Sequence, residues 1–498
     1  MPLNCCETDA TNNFEGCPLL TASFVFAGLS MMLNIRLAYS SAPYALIRFK
    51  LPENLFSVFV RRMASALELW CLPSMLLGNI LDTGSKLLFK HYGTALKIPT
   101  GTADGVPNDF NGQEQTTKSK SLKLWSIIIP SIVTMWSDFI TYAVLLYVYL
   151  MGGVTGNVTA YYGVIAVSGF IFGINMTLVY AVDFNYIPIY VAGENSFPAL
   201  TSLIHYFATL IFGNRRKWNS DFLIVVIDIS VAIIISFVTA ILWTVSFLVP
   251  PKSGQDSKWH IQPFDQDISN PDWDVISPTL MVIVGMGLVY AIYPAIAPGM
   301  IVPFYLIDKI EMVLLIATIF PPVIIAILIK KHGYLSPKYY DVGDSTFKAW
   351  SKYGAGRFYH FLDILIIIKI TLAVIFIYSL HYRDSNISRS IVNQPKMSTA
   401  LSITFYMCHE ILLALGFPGV IGNKGADYVV LPAQYIGALF MIFLAFYSEG
   451  YIIEYKSHDP AHWPTEGMWY LYGYYQLNPD FFIMIKFNFC FDGYCEFK

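Results

Sequence analysis

Apolar stretches of about twenty or more residues recur eleven times along this chain, at 19–42, 56–80, 122–149, 159–182, 186–212, 222–249, 278–301, 305–329, 358–381, 398–417 and 430–452. A run of that length at helical rise crosses the hydrocarbon core of a bilayer, about 30 Å thick. Backbone amides in lipid must be satisfied within their own segment, so each run predicts a transmembrane α-helix. Only 13% of the residues are charged, about half the share typical of soluble chains, which leaves too little polar surface for a water-soluble fold of this length.

The stretches between the runs set the expected layout. Residues 1–18 form an N-terminal tail that carries Glu7, Asp9 and Glu15 but no Lys or Arg, unlike the basic opening of a cleavable signal. Six helices at 19–250 would form an N-terminal bundle. An acidic cytoplasmic loop at 251–277 follows, with Asp256, Asp265, Asp267, Asp272 and Asp274, and then a five-helix bundle at 278–456. The aromatic tail, 457–498, contains the apolar run Phe481–Phe491, too short to span and suited to the membrane interface. The loop expected at 82–121 has a polar centre, Gly101–Gln115. Short links predict hairpins of the fourth with the fifth span and of the seventh with the eighth. Lys and Arg divide almost evenly between the two sides, so the positive-inside rule gives no orientation. The sequons Asn157-Val158-Thr159 and Asn386-Ile387-Ser388 fall outside if the N-terminus is cytoplasmic.

Several functions are disfavoured. A net charge of −3 offers no basic face for phosphates, so no nucleic-acid partner is expected. The seven cysteines show no metal-ligand spacing, although Cys490 and Cys495 could close a small loop. No Walker loop, HExxH or nucleophile elbow occurs, so neither an ATP-driven pump nor an enzyme is expected. A membrane-embedded enzyme using His409 and Glu410 is a distant alternative.

Ionisable groups within spans cost several kcal/mol and mark polar paths. They are Arg36, Glu68, Asp138, Asp183, Asp228, Asp363, Lys369, His409, Glu410 and Glu449. Arg36 and Asp183 lie near span ends, where snorkelling or loop contact explains them. Glu68, mid-span beside Trp70, and the His409-Glu410 pair are better candidates. Adjacent helical residues point about 100° apart, so one of that pair could face the path while the other meets Lys369. Trp70, Trp136 and Tyr293 could stack on a nucleobase, although interfacial belts account for most aromatics.

At the fourth and fifth spans stand Gly169-Phe170-Ile171-Phe172-Gly173 and Tyr186-Ile187-Pro188-Ile189-Tyr190-Val191-Ala192-Gly193-Glu194-Asn195. Gly287 to Ala295 in the seventh, Gly28 to Leu33 with Ala42-Pro43-Tyr44 in the first, and Gly416-Phe417-Pro418 in the tenth complete a series. In order and spacing these resemble the equilibrative nucleoside transporter family over residues 19–456. The departures are Ser168 where the family has Gln, Asn195 where it has a second Gly, and an eighth span, Thr318 to Ile325, without its Asp and Arg. They suggest a divergent branch, of the kind of the Tpr-related membrane proteins of protozoan parasites.

The resemblance implies an all-α polytopic membrane protein with a 6+5, major-facilitator-like pair of bundles. It implies passive alternating-access transport of nucleosides or nucleobases, in the plasma membrane. Partners would be the lipid bilayer and a small-molecule solute, with no cofactor and no metal. Glu68, Trp70, Ser168, Asn195, Tyr293, His409 and Glu410 would line the solute path. Gly169, Gly173, Gly193, Pro188, Pro294, Pro321 and Pro322 would serve helix packing and gating, since small residues allow close approach and proline breaks the ladder. The uncharged eighth span favours two alternatives: carriage of an amino acid or sugar, or a non-transporting protein that keeps the fold.

Overall fold

In a computed structural model of the chain, residues 18–33, 42–51, 56–95, 118–151, 157–248, 261–264, 273–341, 346–382, 385–423 and 426–457 are described, less a few positions within those ranges. Arg36, the Gly101–Gln115 segment, most of the acidic loop, five of the cysteines and the tail from residue 458 lie outside them.

The described chain is almost wholly helical. In order come α1 (Pro18–Met31), α2 (Ala42–Arg48), α3 (Phe56–Ala95), α4 (Ile129–Met151, continuing a π-helical turn at Leu124–Ile128), α5 (Val158–Val182), α6 (Ile187–Phe212) and α7 (Ser220–Leu248). Then follow α8 (Ile276–Gly287), the single turn α9 (Val289–Ile292), α10 (Phe320–Lys331), α11 (Ile364–His381), α12 (Asn386–Val392), α13 (Pro395–Ile421) and α14 (Ala426–Ser457). A small antiparallel hairpin, β1 (Tyr339–Asp341) with β2 (Thr346–Lys348), pairs Tyr340 with Phe347. Seven of the helical segments are long and apolar enough to cross a membrane: 118–151, 158–182, 222–248, 273–292, 356–381, 395–421 and 428–452. These match seven of the eleven expected runs, and the protein is a multi-pass all-α membrane protein. Helices α1, α3, α6 and α10 stand at the other four runs.

Three expectations need correction. The second run does not end near residue 80, because α3 continues unbroken to Ala95. Past Leu81 its polarity still has helical period: Asp82, Ser85 and Lys86 are buried, while Ile80, Leu87 and Leu88 are exposed. A hydropathy count cannot see a helix that hides its polar face. The hairpin of the fourth and fifth spans is not what packs either. Helix α5 lies along α3 and α4, and α6 lies along α1 and α7. Finally, Pro188 interrupts nothing, since it occupies the first turn of α6, where no intrahelical N–H is needed.

The chain divides into two compact units. Unit 1 takes residues through Thr279 with Ile319–His360 and Ala414–Tyr435; unit 2 takes Leu280–Thr318, Phe361–Leu413 and Ile436 onward. Glycine sets the approaches in unit 1. A Cβ on Gly28 would lie 2.6 Å from the Glu194 amide, and one on Gly193 would lie 3.0 Å from Val25 Cα, so α1 and α6 touch backbone to backbone. A Cβ on Gly169 would lie 2.8 Å from Leu67 Cα, and one on Gly173 would lie 3.0 Å from Cys71 Sγ, which gives α5 and α3 the same contact.

Candidate functional site

The polar interior of unit 1 is assembled at these glycine crossings. Ser30 sits two residues past Gly28, and its Oγ donates to Asp138 Oδ2 on α4 at 3.0 Å. One turn further along α4 stands Tyr142, and Tyr190 and Glu194 share a face of α6 by the same four-residue step. All five are buried. Tyr180 packs edge-on against Tyr190, with ring centroids 5.3 Å apart. Elsewhere in this interior Thr134 Oγ1 donates to Asn175 Oδ1 at 3.2 Å, and Trp243 Nε1 donates to Ser131 Oγ at 2.9 Å. His205 Nδ1 and Asp228 Oδ2 pair at 2.9 Å between α6 and α7.

Of the candidates in unit 1, Glu68 and Ser168 are buried at the α3–α5 crossing, next to Leu67 and Gly169 respectively. Trp70 and Asn195 are half-buried, on α3 and α6.

At one end of unit 1 the linking segments form a charged layer. Lys86 pairs with Asp82 at 2.6 Å and lies over the rings of Phe184 and Tyr428. Lys338 donates to Asn185 Oδ1, whose Nδ2 donates to Gln262. Asp183, in the link between α5 and α6, caps the next turn by accepting from the Asn185 amide at 2.9 Å. Burial raises the Asp183 pKa above the usual carboxylate value; the positive charges of Lys123 and Lys338 and the Asn185 hydrogen bond only partly oppose it. Trp350 donates from Nε1 to Pro337 O and closes on Gly419, where a Cβ would collide with the indole.

Unit 2 holds a different arrangement. The seventh span's helix is interrupted at Leu288, whose N–H reaches Val284 O only at 3.5 Å, and α8 gives way to the single turn α9. Just before that break the carbonyl of Gly285 receives two side-chain donors. One is Lys369 Nζ from α11; the other is His409 Nδ1 from α13, at 2.6 Å. A carbonyl only accepts, so Nδ1 carries the hydrogen, and in the neutral ring Nε2 is left as an acceptor. Lys369 is fully buried, its ammonium 5.3 Å from the Phe405 ring centroid, and the buried Glu410 carboxylate acts on the same ammonium. Glycine again makes room: a Cβ on Gly285 would meet Leu412 and Leu413 at 3.3 Å.

Tyr293 and His409 are brought to one place through Tyr406. The Tyr293 and Tyr406 rings lie 4.5 Å apart and the Tyr406 and His409 rings 5.4 Å, all three half-buried. Sequence reasoning missed Tyr406, although it precedes His409 by three residues and so shares its helix face. It also missed Ser30 and Tyr190, which meet Asp138 on α4 and Tyr180 on α5.

The proline candidates gather at helix starts and turns. Pro294 lies in the turns after α9, and Pro321 and Pro322 lie in the first turn of α10. The eighth span is accordingly not a continuous helix: Thr318 and Ile319 form a turn, and the hydrogen-bonded helix begins at Phe320. Among the described residues no group of three or more His, Cys, Asp or Glu side chains could hold a metal ion.

Fold and interior together define a multi-pass membrane protein with ionisable groups buried in both units. No family model matches the chain, and no curated protein matches it. Among solved structures it is similar to a bacterial homologue of the iron transporter ferroportin in the outward-facing state. Identity is 11% over 88% of this chain and 100% of that one, with a TM-score of 0.35. The same homologue with soaked iron gives 11% identity over the same shares and a TM-score of 0.34. No functional assignment rests on so slight a likeness.

Proposed function

We propose that this protein is a membrane carrier that moves a small polar solute by passive alternating access. One observation carries the reading. Lys369 and His409, on two helices long and apolar enough to cross a membrane, converge on one carbonyl beside a helix break, and the buried Glu410 follows His409 on its helix. Charged side chains at membrane depth are costly, and by default they mark a solute or ion path. Helices broken where backbone carbonyls are needed are how carriers build sites in lipid.

Nucleosides or nucleobases are the solutes we favour. The supporting geometry is the cluster of Tyr293, Tyr406 and His409, which offers aromatic faces for a flat ring and, at His409 Nε2, an acceptor for its N–H groups. The motifs shared with the equilibrative nucleoside transporters support the same choice. The uncharged stretch Thr318 to Ile325 favours a second reading, carriage of an amino acid or sugar. Proteoliposomes holding the purified chain, offered labelled nucleosides, nucleobases, amino acids and sugars in turn, discriminate between them. Nucleoside or nucleobase uptake that saturates and needs no ion gradient is expected. Saturable uptake of only an amino acid or sugar establishes the second reading, and no uptake of any solute overturns both.

A further inference from the structure

Where α1, α6 and α10 meet in unit 1 they leave a shallow groove, open at one side. Its walls are Thr21, Pro188, Ile189, Ala326 and Ile329, and its polar end is Asn185 and Lys330. Ala326, Ile329 and Lys330 are spaced by three and four residues, so one face of α10 carries both the apolar wall and the cation. The neighbouring face bears Phe320, Ile324 and Ile327, each about half exposed or more, as suits contact with lipid tails. Lys331 and His332 follow Lys330 at the helix end, and all three are exposed.

We propose that this groove holds an anionic phospholipid, with its first acyl carbons against Ile189, Ala326 and Ile329 and its phosphate at Lys330 and Lys331. The charge balance points to an anion. Lys330 and Lys331 form no ion pair among the described residues. The nearby acid, Asp183, is buried and faces Lys123 and Lys338 instead. Lys338 itself is engaged by Asn185. Lys330 therefore stands at the polar end of an apolar groove, with Lys331 beside it in the chain, and neither is paired among the described residues. That is the chemistry of an anionic headgroup with its chain attached, because a headgroup alone would leave the slot empty. The site is separate from the polar interior described above, and it does not depend on which solute is carried.

The test uses the full chain, stripped of lipid in a neutral detergent, with the thermal-unfolding midpoint followed as lipid is added. Phosphatidylserine and phosphatidylglycerol should each raise the midpoint and saturate; phosphatidylcholine and inorganic phosphate at equal concentration should not. Lys330→Gln should weaken the apparent affinity for phosphatidylserine about fivefold, since one basic residue near an anionic surface contributes about that factor. Lys330→Gln with Lys331→Gln should weaken it about 25-fold by the same reasoning. Ile329→Trp should fill the slot and abolish the shift although both charges remain, whereas Ile324→Trp on the lipid-facing side should leave it unchanged. If Ile329→Trp fails to fold, native mass spectrometry of the wild type and the double lysine variant, counting retained phosphatidylserine, decides. Equal shifts with phosphatidylcholine, a shift reproduced by phosphate alone, or unchanged phosphatidylserine retention in the double variant overturns the proposal.

Discussion

The two units bury charge by opposite means. In unit 1 the buried carboxylate Asp138 sits on an unbroken helix and takes a hydrogen bond from a side chain, that of Ser30. In unit 2 an ammonium and an imidazole take theirs from the backbone, at a carbonyl just before the helix is interrupted. A carboxylate needs donors, which intact helices offer only through their side chains. A cation needs acceptors, and a broken ladder supplies a carbonyl with a lone pair to spare. The first device demands tight helix packing; the second demands a local break and tolerates looser contacts.

Substitutions at the packing glycines should separate the two devices most widely. Gly173→Leu puts a branched side chain where even a Cβ would lie 3.0 Å from Cys71 Sγ, and closer still to the α3 backbone. Recovery of monodisperse protein should fall more than tenfold, because overpacking against backbone finds no relief and its cost of about 1–3 kcal/mol is a lower bound here. Gly285→Ala in unit 2 meets only leucine side chains at 3.3 Å, so its yield should stay within about twofold of the wild type. Equal losses would erase the contrast.

Removing the cation of unit 2 comes next. Lys369→Met keeps the length of the side chain but removes the charged donor to Gly285 O, and should cost about 1.5–3 kcal/mol. Lys369→Met with Glu410→Gln should recover part of that loss, as read from unfolding in denaturant. A double variant no better than the single would separate the two residues. Ser30→Ala in unit 1 removes one donor to Asp138 Oδ2 and should cost about 1–2 kcal/mol. A neutral result there would mean that the hydroxyl is idle.

The smallest effect belongs to Asp183, at the charged end of unit 1. Its pKa in the folded protein lies above the ordinary value of 3.8, so the folded state holds the proton more tightly than the unfolded chain. The stability contributed is present below that value and is lost as pH rises through the raised one. Asp183→Asn keeps the acceptor for the Asn185 amide and removes the titration. The wild type should lose unfolding midpoint relative to this variant as pH climbs above 3.8. Parallel pH profiles would contradict the shift.

Much of the fold was legible because a bilayer reduces helix finding to counting apolar residues, and seven runs match membrane-length helices. The failures share a cause. α3 runs on to Ala95 with Asp82, Ser85 and Lys86 turned inward, and average hydropathy cannot register which face is which. Proline was read as a break, and at Pro321-Pro322 the eighth span is indeed interrupted, yet Pro188 starts a helix, while Pro73, Pro418 and Pro432 lie inside helices. A proline's meaning depends on whether the chain before it is already helical, which a single sequence does not display. Within the candidate site, Tyr293, His409 and Glu410 were visible as polar or aromatic groups in apolar runs. Gly285 was not, because its carbonyl matters only once α11 and α13 bring Lys369 and His409 to it.

The central claim, that these buried groups serve the passage of a solute, is tested most directly by uptake into proteoliposomes carrying Glu410→Gln. The substitution keeps the shape and removes the charge, so incorporation should match the wild type. Uptake should fall about tenfold or change its pH dependence, because a buried carboxylate titrates according to its partners. Unaltered uptake and an unaltered pH profile, at equal incorporation, would contradict the claim and assign Glu410 to structure.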